Sequence, residues 1–409
     1  MDKRPQQGDT FPLTIDGYAS DGSGVGRLEG MVVFVPGALR GEVCQVQLTH
    51  VGRSALWGRV KTILTPSPAR IPPDCPYDAQ CGGCRFRHMD YAEELQAKRA
   101  RVEDALRRRE FEVLPAGGMA ERTRAMLKVE DGCVNFCTYC IIPYARGPVR
   151  SLPKAEAVAQ TEHLRQEGYR ELVFTGIEIS SWGRDLKNGE SLIDLLEAVS
   201  AAAGDMRLRL GSLEPRTITE DFCRRAAALP HLCPHFHLSL QSGCDATLKR
   251  MNRKYDTARF RESVRLLNQY FHRPAITTDL ICGFPEETEE EFGQTLAFIE
   301  ECGFAAMHIF PYSIRPGTKA AAMGQVPPAV KEQRTARAGQ VAERMHRAYL
   351  KGCVGQVYPV LFEQARDGLY TGHAPNYMEV GVAADGLHNV ILDVKITGVD
   401  GEILRGELT

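Results

Sequence analysis

Residues 128–151 read KVEDGCVNFCTYCIIPYARGPVRS, and within them Cys133, Cys137 and Cys140 follow a Cys-x3-Cys-x2-Cys spacing. Three thiolates so close in sequence wrap one face of a soft metal centre. A [4Fe–4S] cube has four irons, so three protein ligands leave one iron open to a non-protein ligand, which makes the site reactive rather than purely structural. A zinc site completed by a distant His or Cys, or thiols in a loop without metal, fits the same spacing. The segment AMLKVED in front of the cysteines is strand-like, and the pattern then alternates. ELVFTG, MRLRLGS, HFHLSLQ, AITTDLICG and AAMHIFPYS read as strands, with amphipathic helical segments around 153–167, 190–203, 217–229, 256–271 and 288–302 between them. Thr217 with Glu220 and Thr288 with Glu291 fit capping boxes, and Gly168 fits a helix stop. Six βα repeats predict an α/β fold with a parallel sheet curved toward a barrel. In that architecture chemistry sits at the C-terminal ends of the strands.

Around this core the chain is long enough, at 409 residues, for two or three domains of about 150 residues each. Its 43% apolar and 25% charged residues are ordinary for a globular protein and exclude disorder along most of its length. The formal net charge is −2, so any nucleic-acid surface is local. The N-terminus, MDKRPQQGDT, is polar, and no apolar run approaches the ~20 residues that span a bilayer. The expectation is a cytosolic protein with no membrane partner. Thirteen cysteines, an odd number, argue against a full disulfide framework. Cys75, Cys81 and Cys84 form a second group, while Cys223, Cys233, Cys244, Cys282, Cys302 and Cys353 lack ligand spacing and read as core or surface thiols.

Both ends of the chain read as small all-β modules. Residues 9–64 give short strands broken by glycine turns, with DGSGVG as one turn, and residues 355–409 return to the same pattern. Gly22, Gly24 and Gly26 do not form a dinucleotide fingerprint, because the strand GMVVFV follows where a phosphate-binding helix should begin. Residues 91–110 look helical, with Leu95, Val102 and Leu106 on an apolar stripe, and 329–351 form a second helical stretch. Residues 98–109 and 331–351 each carry six basic residues against two acids, faces suited to phosphates or simply solvated. Tyr370 and Tyr377 in the C-terminal module would stack on unpaired bases or pack in its core. The expected domains are 5–65, 72–110, 120–342 and 343–409.

The cysteine segment resembles the radical S-adenosylmethionine (SAM) signature, specifically that of the methylthiotransferase family. The resemblance continues through FTGIEISSWGRDL, RLGSLEPRTIT, PHFHLSLQSGCDATLKRMNRKY, TTDLICGFPEETEEEF and FPYSIRPGTKAA, over about residues 111–409. It is nearest to the branch that methylthiolates N6-threonylcarbamoyladenosine at tRNA position 37. The implied architecture is a partial (βα)6 radical SAM barrel flanked by two TRAM-like barrels. By carry-over, Cys133, Cys137 and Cys140 hold a [4Fe–4S] cluster whose open iron is chelated by SAM. Tyr139 stands near the SAM adenine or packs on the rim. Gly176 and Glu178 end the second strand where the family contacts the SAM amino group. Ser212 and Glu214 on the third strand, and His237 and Gln241 on the fourth, point toward the same mouth, alternation placing His237, Ser239 and Gln241 on one face. Asp279 and Gly283 close the fifth strand. The resemblance implies one-electron reduction of SAM, a 5′-deoxyadenosyl radical that abstracts hydrogen from adenosine, a second SAM as methyl donor and a second cluster for sulfur insertion. It implies tRNA as partner and an electron donor such as flavodoxin or ferredoxin, and leaves the sulfur source open.

The first ~110 residues resemble a different family, the bacterial 23S rRNA 5-methyluridine methyltransferases. DGSGVGRLEGMVVFVPGALRGE looks like their TRAM barrel and CPYDAQCGGCRFRHMDYAEELQAKRARVEDAL like their iron–sulfur segment. The methylthiotransferase N-terminal cluster domain is not found here, nor is the uridine-methylating domain. Three outcomes are open for Cys75, Cys81 and Cys84: a second [4Fe–4S] cluster serving sulfur transfer, a zinc site completed by His88, or an empty site. The alternative to methylthiolation is therefore a catalytically incomplete RNA-binding fusion protein, or a fragment related to the rRNA enzymes.

Overall fold

The computed structural model describes residues 5–19, 22–52, 55–73, 86–107, 123–366 and 368–409. Cys75, Cys81 and Cys84, and the junction between the two resemblances, lie outside the described residues. The chain divides into two units, Met1–Met119 and Ala120–Thr409.

The N-terminal unit is a six-stranded sheet of β1 (Thr10–Thr14), β2 (Gly17–Tyr18), β3 (Gly24–Leu28), β4 (Met31–Val35), β5 (Val43–Val51) and β6 (Ala55–Thr65), in the order β1-β5-β6-β4-β3-β2. The DGSGVG stretch is not simply a turn, since β3 starts within it and pairs antiparallel with β4. A Cβ on Gly26 would come within 2.4 Å of the Thr14 carbonyl oxygen, so glycine here lets β3 lie against β1. Helix α1 (Tyr91–Arg107) is tied to the sheet by Tyr18, whose hydroxyl donates to Glu93 at 2.9 Å, and by an Arg40–Glu93 pair. Leu95, expected on the buried stripe of α1, is exposed.

The second unit contains the six expected parallel strands: β7 (Arg124–Asp131), β9 (Glu171–Gly176), β10 (Arg207–Leu210), β11 (His235–Gln241), β12 (Ala275–Cys282) and β13 (Ala306–Pro311). A short β8 (Arg150–Ser151) runs antiparallel beside β7. Sheets β10-β9-β7-β8 and β11-β12-β13 are joined by two isolated parallel bridges, Leu208 with Leu232 and Leu213 with Leu238. The result is an incomplete barrel. After the short α2 (Ile142–Arg146) come α3 (Lys154–Gln166), α4 (Leu192–Ala203), α5 (Glu220–Ala227), α6 (Asp245–Arg250), α7 (Thr257–Tyr270), α8 (Glu289–Cys302) and α9 (Pro328–Cys353). Apolar residues on the outer face of the strands, such as Phe236, Leu238 and Leu240, pack with Leu195, Phe260, Leu267 and Ile299 of the helices.

The capping box Thr288/Glu291 is present, but Thr217 does not cap α5. Thr217 closes a 3₁₀ turn, and Thr219 accepts from the Phe222 amide instead. The predicted stop holds, with Gly168 in positive φ just beyond the end of α3. The C-terminal strands β14 (Val357–Arg366), β15 (Leu369–His373), β16 (Glu379–Val382), β17 (Ile391–Asp400) and β18 (Ile403–Leu408) close a barrel in the order β14-β15-β16-β18-β17. Among the described residues no helix is long and apolar enough to cross a membrane.

The barrel's floor is an ionic network. Glu171, with no exposed side-chain surface, meets Arg209 at 2.7 Å and Arg207 at 2.7 Å. Both arginines also donate to carbonyls of the C-terminal segment, at Pro359, His373 and Pro375. Burial alone would raise the Glu171 carboxyl, but Arg209, Arg207 and Arg124 hold it down at about 2. Its stabilising contribution is full above the ordinary carboxylate range and is lost as pH falls toward 2. Glu171→Gln leaves buried guanidinium charge unpaired, so denaturant unfolding at neutral pH is expected to show a loss of about 3–5 kcal/mol.

Candidate functional site

Cys133, Cys137 and Cys140 occupy the loop after β7 and line one cavity with Asn135, Tyr139, Ile177, Glu178, Ser212, Glu214, Ser239 and Arg253. The cavity opens at the C-terminal ends of the strands, as barrel geometry requires. Gly132 has φ +87°, and a Cβ there would lie 2.0 Å from the Pro148 carbonyl oxygen, so only glycine lets the chain turn from β7 into the cysteine loop. The far end of the loop is clamped back on its start. Arg146 donates twice to Asp131, at 3.0 and 2.7 Å, and the Cys133 amide donates to Gly147 O. Burial opposes ionisation of Asp131, yet Arg146 and Lys128 hold its carboxyl well below the usual range.

The segment after α6 fastens the middle of the loop. The Thr138 amide donates to Met251 O, its hydroxyl to Arg250 O at 2.9 Å, and Asn252 Nδ2 to Phe136 O at 2.8 Å. Arg253 donates to Cys137 Sγ at 3.3 Å, to the Tyr139 hydroxyl at 3.5 Å and, through Nε, to Tyr255 at 3.0 Å. Arg253 was not singled out in the sequence reading, although it lies in the quoted MNRKY. Its contact with the cysteine loop spans more than a hundred residues and follows no local pattern.

The structure brings together Gly176, Glu178, Ser212 and Glu214 as the ends of neighbouring strands. A Cβ on Gly176 would lie 2.8 Å from Glu130 O, so this glycine permits the close approach of β9 and β7. Glu130, almost fully buried, accepts from the Glu178 amide at 2.7 Å; burial pushes its carboxyl up to about 7. Glu178 accepts from the Ser181 hydroxyl through one oxygen, while its buried Oε1 has no hydrogen-bond partner. Burial and the neighbouring Glu214 raise its carboxyl. Glu214 is paired in both oxygens with Arg216, at 2.8 and 2.9 Å.

Other expected residues stand elsewhere. Tyr139 lines the cavity but packs edge-on to Phe284 within a cluster including Met251 and Tyr312, which places it in the rim wall. His237 and Ser239 lie on one face of β11, and of the two only Ser239 reaches the cysteine cavity. Gln241 lies past a bulge with φ +69°. His237 bonds Thr277 Oγ1 at 3.0 Å and stands 3.2 Å from Asp279 Oδ2, deeper in the barrel. Gly283 donates its amide to Glu287. Most cations of the basic run 331–351 have partners within the protein. Lys331 is buried on Tyr312 O, Arg334 pairs with Glu287, Arg337 with Glu289, Arg344 with Glu300 and Arg347 with Glu343. Tyr377 is stacked among Arg209, His235 and His373, and Tyr370 packs against Phe362.

The donor set fits an iron–sulfur cluster and SAM. The three thiols line one cavity together with Glu178. Burial pushes Cys133 up to about 11 and raises Cys140, so thiolates there need metal charge beside them. Glu178 offers an unpartnered buried acceptor for a cationic amino group in the same cavity.

Parallel barrel, cysteine loop and open acceptor together define a radical SAM protein. The sequence model of the Radical SAM superfamily matches residues 127–299 and that of the TRAM domain residues 4–61. The threonylcarbamoyladenosine tRNA methylthiotransferase MtaB of Chlamydia pneumoniae is 39% identical over 70% of this chain and 68% of its own length, and that of Thermotoga maritima 36% identical over 81% and 78%. A tRNA-2-methylthio-N(6)-dimethylallyladenosine synthase of Chloroflexus aurantiacus is 37% identical over 68% of this chain and 61% of its own length. The chain belongs to the family of threonylcarbamoyladenosine tRNA methylthiotransferases. Among solved structures, the radical SAM methyltransferase TsrM of Kitasatospora setae shows a TM-score of 0.41 at 15% identity, over 60% of this chain and 42% of that one.

Replacing Gly132 with alanine is expected to displace the cysteine loop from its clamp. Iron bound per chain after anaerobic reconstitution should fall by up to about four, one cube, read by iron and acid-labile sulfide assay beside a melting curve.

Proposed function

We propose that this chain is a radical SAM methylthiotransferase that adds a methylthio group to N6-threonylcarbamoyladenosine at position 37 of tRNA. The observation that carries the reading is the convergence, at the C-terminal ends of the strands, of three thiols with an unpartnered buried carboxylate oxygen on Glu178. Cys133, Cys137 and Cys140 hold the cluster. Glu178 accepts from the SAM amino group, Gly176 lets β9 close on β7 just before Glu178, and Ser212 lines the approach. Glu214, neutralised by Arg216, fixes the wall beside Glu178 through its amide hydrogen bond with Ser180 Oγ. When bound, cluster and SAM supply one-electron chemistry able to attack an unactivated C–H bond. Arg253 sets the position and charge of the Cys137 sulfur, and Tyr139, locked by Arg253 and Phe284, walls the cavity. The electron comes from a flavodoxin- or ferredoxin-like donor, and the TRAM module adds affinity for RNA.

Two linked measurements test this. Bulk tRNA from cells lacking their own enzyme but expressing the chain should contain methylthiolated threonylcarbamoyladenosine by mass spectrometry, and the Cys133→Ala/Cys137→Ala/Cys140→Ala variant should abolish it. The same variant should lose about four irons per chain, as one cube requires; iron that remains is held by another group. A wild-type chain that binds iron and cleaves SAM but leaves tRNA unmethylthiolated would instead be an RNA-binding, SAM-cleaving protein.

A further inference from the structure

Resting on this reading, the next question is which feature of the target adenosine the barrel reads. Relatives named for a threonylcarbamoyl substrate and for a dimethylallyl substrate match this chain at 39% and 37% identity, so overall likeness does not separate the two. The substituents differ sharply in chemistry. One carries a urea, a hydroxyl and a carboxylate; the other is a branched hydrocarbon.

The inner face of β11 is a ladder. His235 lies at the floor against Tyr377, Ser239 lies at the cysteine cavity, and His237 sits between them, one pleat or about 6.6 Å from each along the strand. Across the sheet His237 is in register with Thr277 of β12, whose Oγ1 engages its Nδ1, and its Nε2 reaches Oδ2 of Asp279, one pleat further along, at 3.2 Å. Asp279 is in register with His308 of β13, whose exposed ring stands 6.0 Å from that of His237. A polar row therefore runs across three adjacent strands, from His237 up to Asp279 and His308 at the level of Ser239, beside the cavity where the cysteines stand.

We infer that Asp279 and His308 are the specificity-determining residues for a polar substituent on N6 of the target adenosine, with His237 as the positioning residue that fixes Asp279. Asp279 accepts from the urea N–H or the hydroxyl, and His308 donates to the terminal carboxylate. A hydrocarbon substituent in the same place strips water from both side chains and returns no hydrogen bond. That is the costly side of the hydrogen-bond balance and the means by which polar sites reject apolar analogues.

The test measures binding of anticodon stem-loop RNAs to the reconstituted full chain by fluorescence anisotropy. The RNAs carry N6-threonylcarbamoyladenosine, N6-dimethylallyladenosine or adenosine at one position. Wild type should bind the threonylcarbamoyl RNA at least about tenfold more tightly than the dimethylallyl RNA. His308→Leu and Asp279→Asn should each bring that ratio toward one by weakening only the threonylcarbamoyl complex, with adenosine RNA unaffected. His308 is exposed, so its variant should keep the wild-type melting curve and separate recognition from folding. His237→Gln should lower the ratio less than either. A wild type without preference, or a preference that survives in both His308→Leu and Asp279→Asn, overturns the inference. Methylthiolation of cellular tRNA by the wild type reports separately on the enzymatic reading, which can stand when this one falls.

Discussion

Glu171 is a carboxylate removed entirely from water, held there by the guanidinium groups of Arg207 and Arg209. The same two arginines reach across to carbonyl oxygens of the C-terminal segment, so the groups that neutralise the acid also dock the closed barrel against the open one. Coulomb attraction at this depth is strong, yet each ion gives up its hydration to enter. The network therefore serves position more than net stability. It fixes the depth of the barrel, and every inward residue above is counted from that floor.

From the floor upward the two faces of each strand do different work. The outer face is apolar and packs beneath the helices, with Phe236, Leu238 and Leu240 fully buried. The inner face, freed from making a core because the barrel is incomplete, keeps polar groups: His235, His237 and Ser239 on β11, Thr277 and Asp279 on β12, His308 on β13. Met126 of β7 stays 77% exposed. A closed eight-stranded barrel would fill this space with branched side chains; six strands leave it open.

These facts also decide what the sequence could disclose. Strands and helices of the core were legible because outward apolar residues recur at their own periods and the turns carry their own chemistry, as at Thr288, Glu291 and Gly168. The cysteine spacing pointed to the cavity because its three thiols sit on one loop. The cap of α5 was misplaced by two residues because Thr217 has an acid, Glu220, three residues on, whereas Thr219 has Phe222 there and caps with its hydroxyl alone; the 3₁₀ turn Pro215–Thr217 takes Thr217 out of the cap. The basic run 331–351 was ambiguous for a different reason. Composition registers six cations but not the carboxylates of α8 and its preceding loop, Glu287, Glu289 and Glu300, that tertiary packing sets against three of them.

Arg253 shows where local reading ends. Nothing in RMNRKY distinguishes this arginine from its neighbours Arg250 and Lys254, and only the fold brings it to Cys137 and Tyr139. Arg250 turns away to Glu291, Lys254 bonds Asn252, and Arg253 alone of the three enters the cavity. Its direction is set by Tyr255, whose buried hydroxyl is anchored on the carbonyls of Ser239 and Leu240 and receives Arg253 Nε. The guanidinium is thus held from β11, the strand that also carries His237. A shift of that strand would move the charge beside the cysteine loop and the polar row of His237 and Asp279 together, which couples the two mechanically.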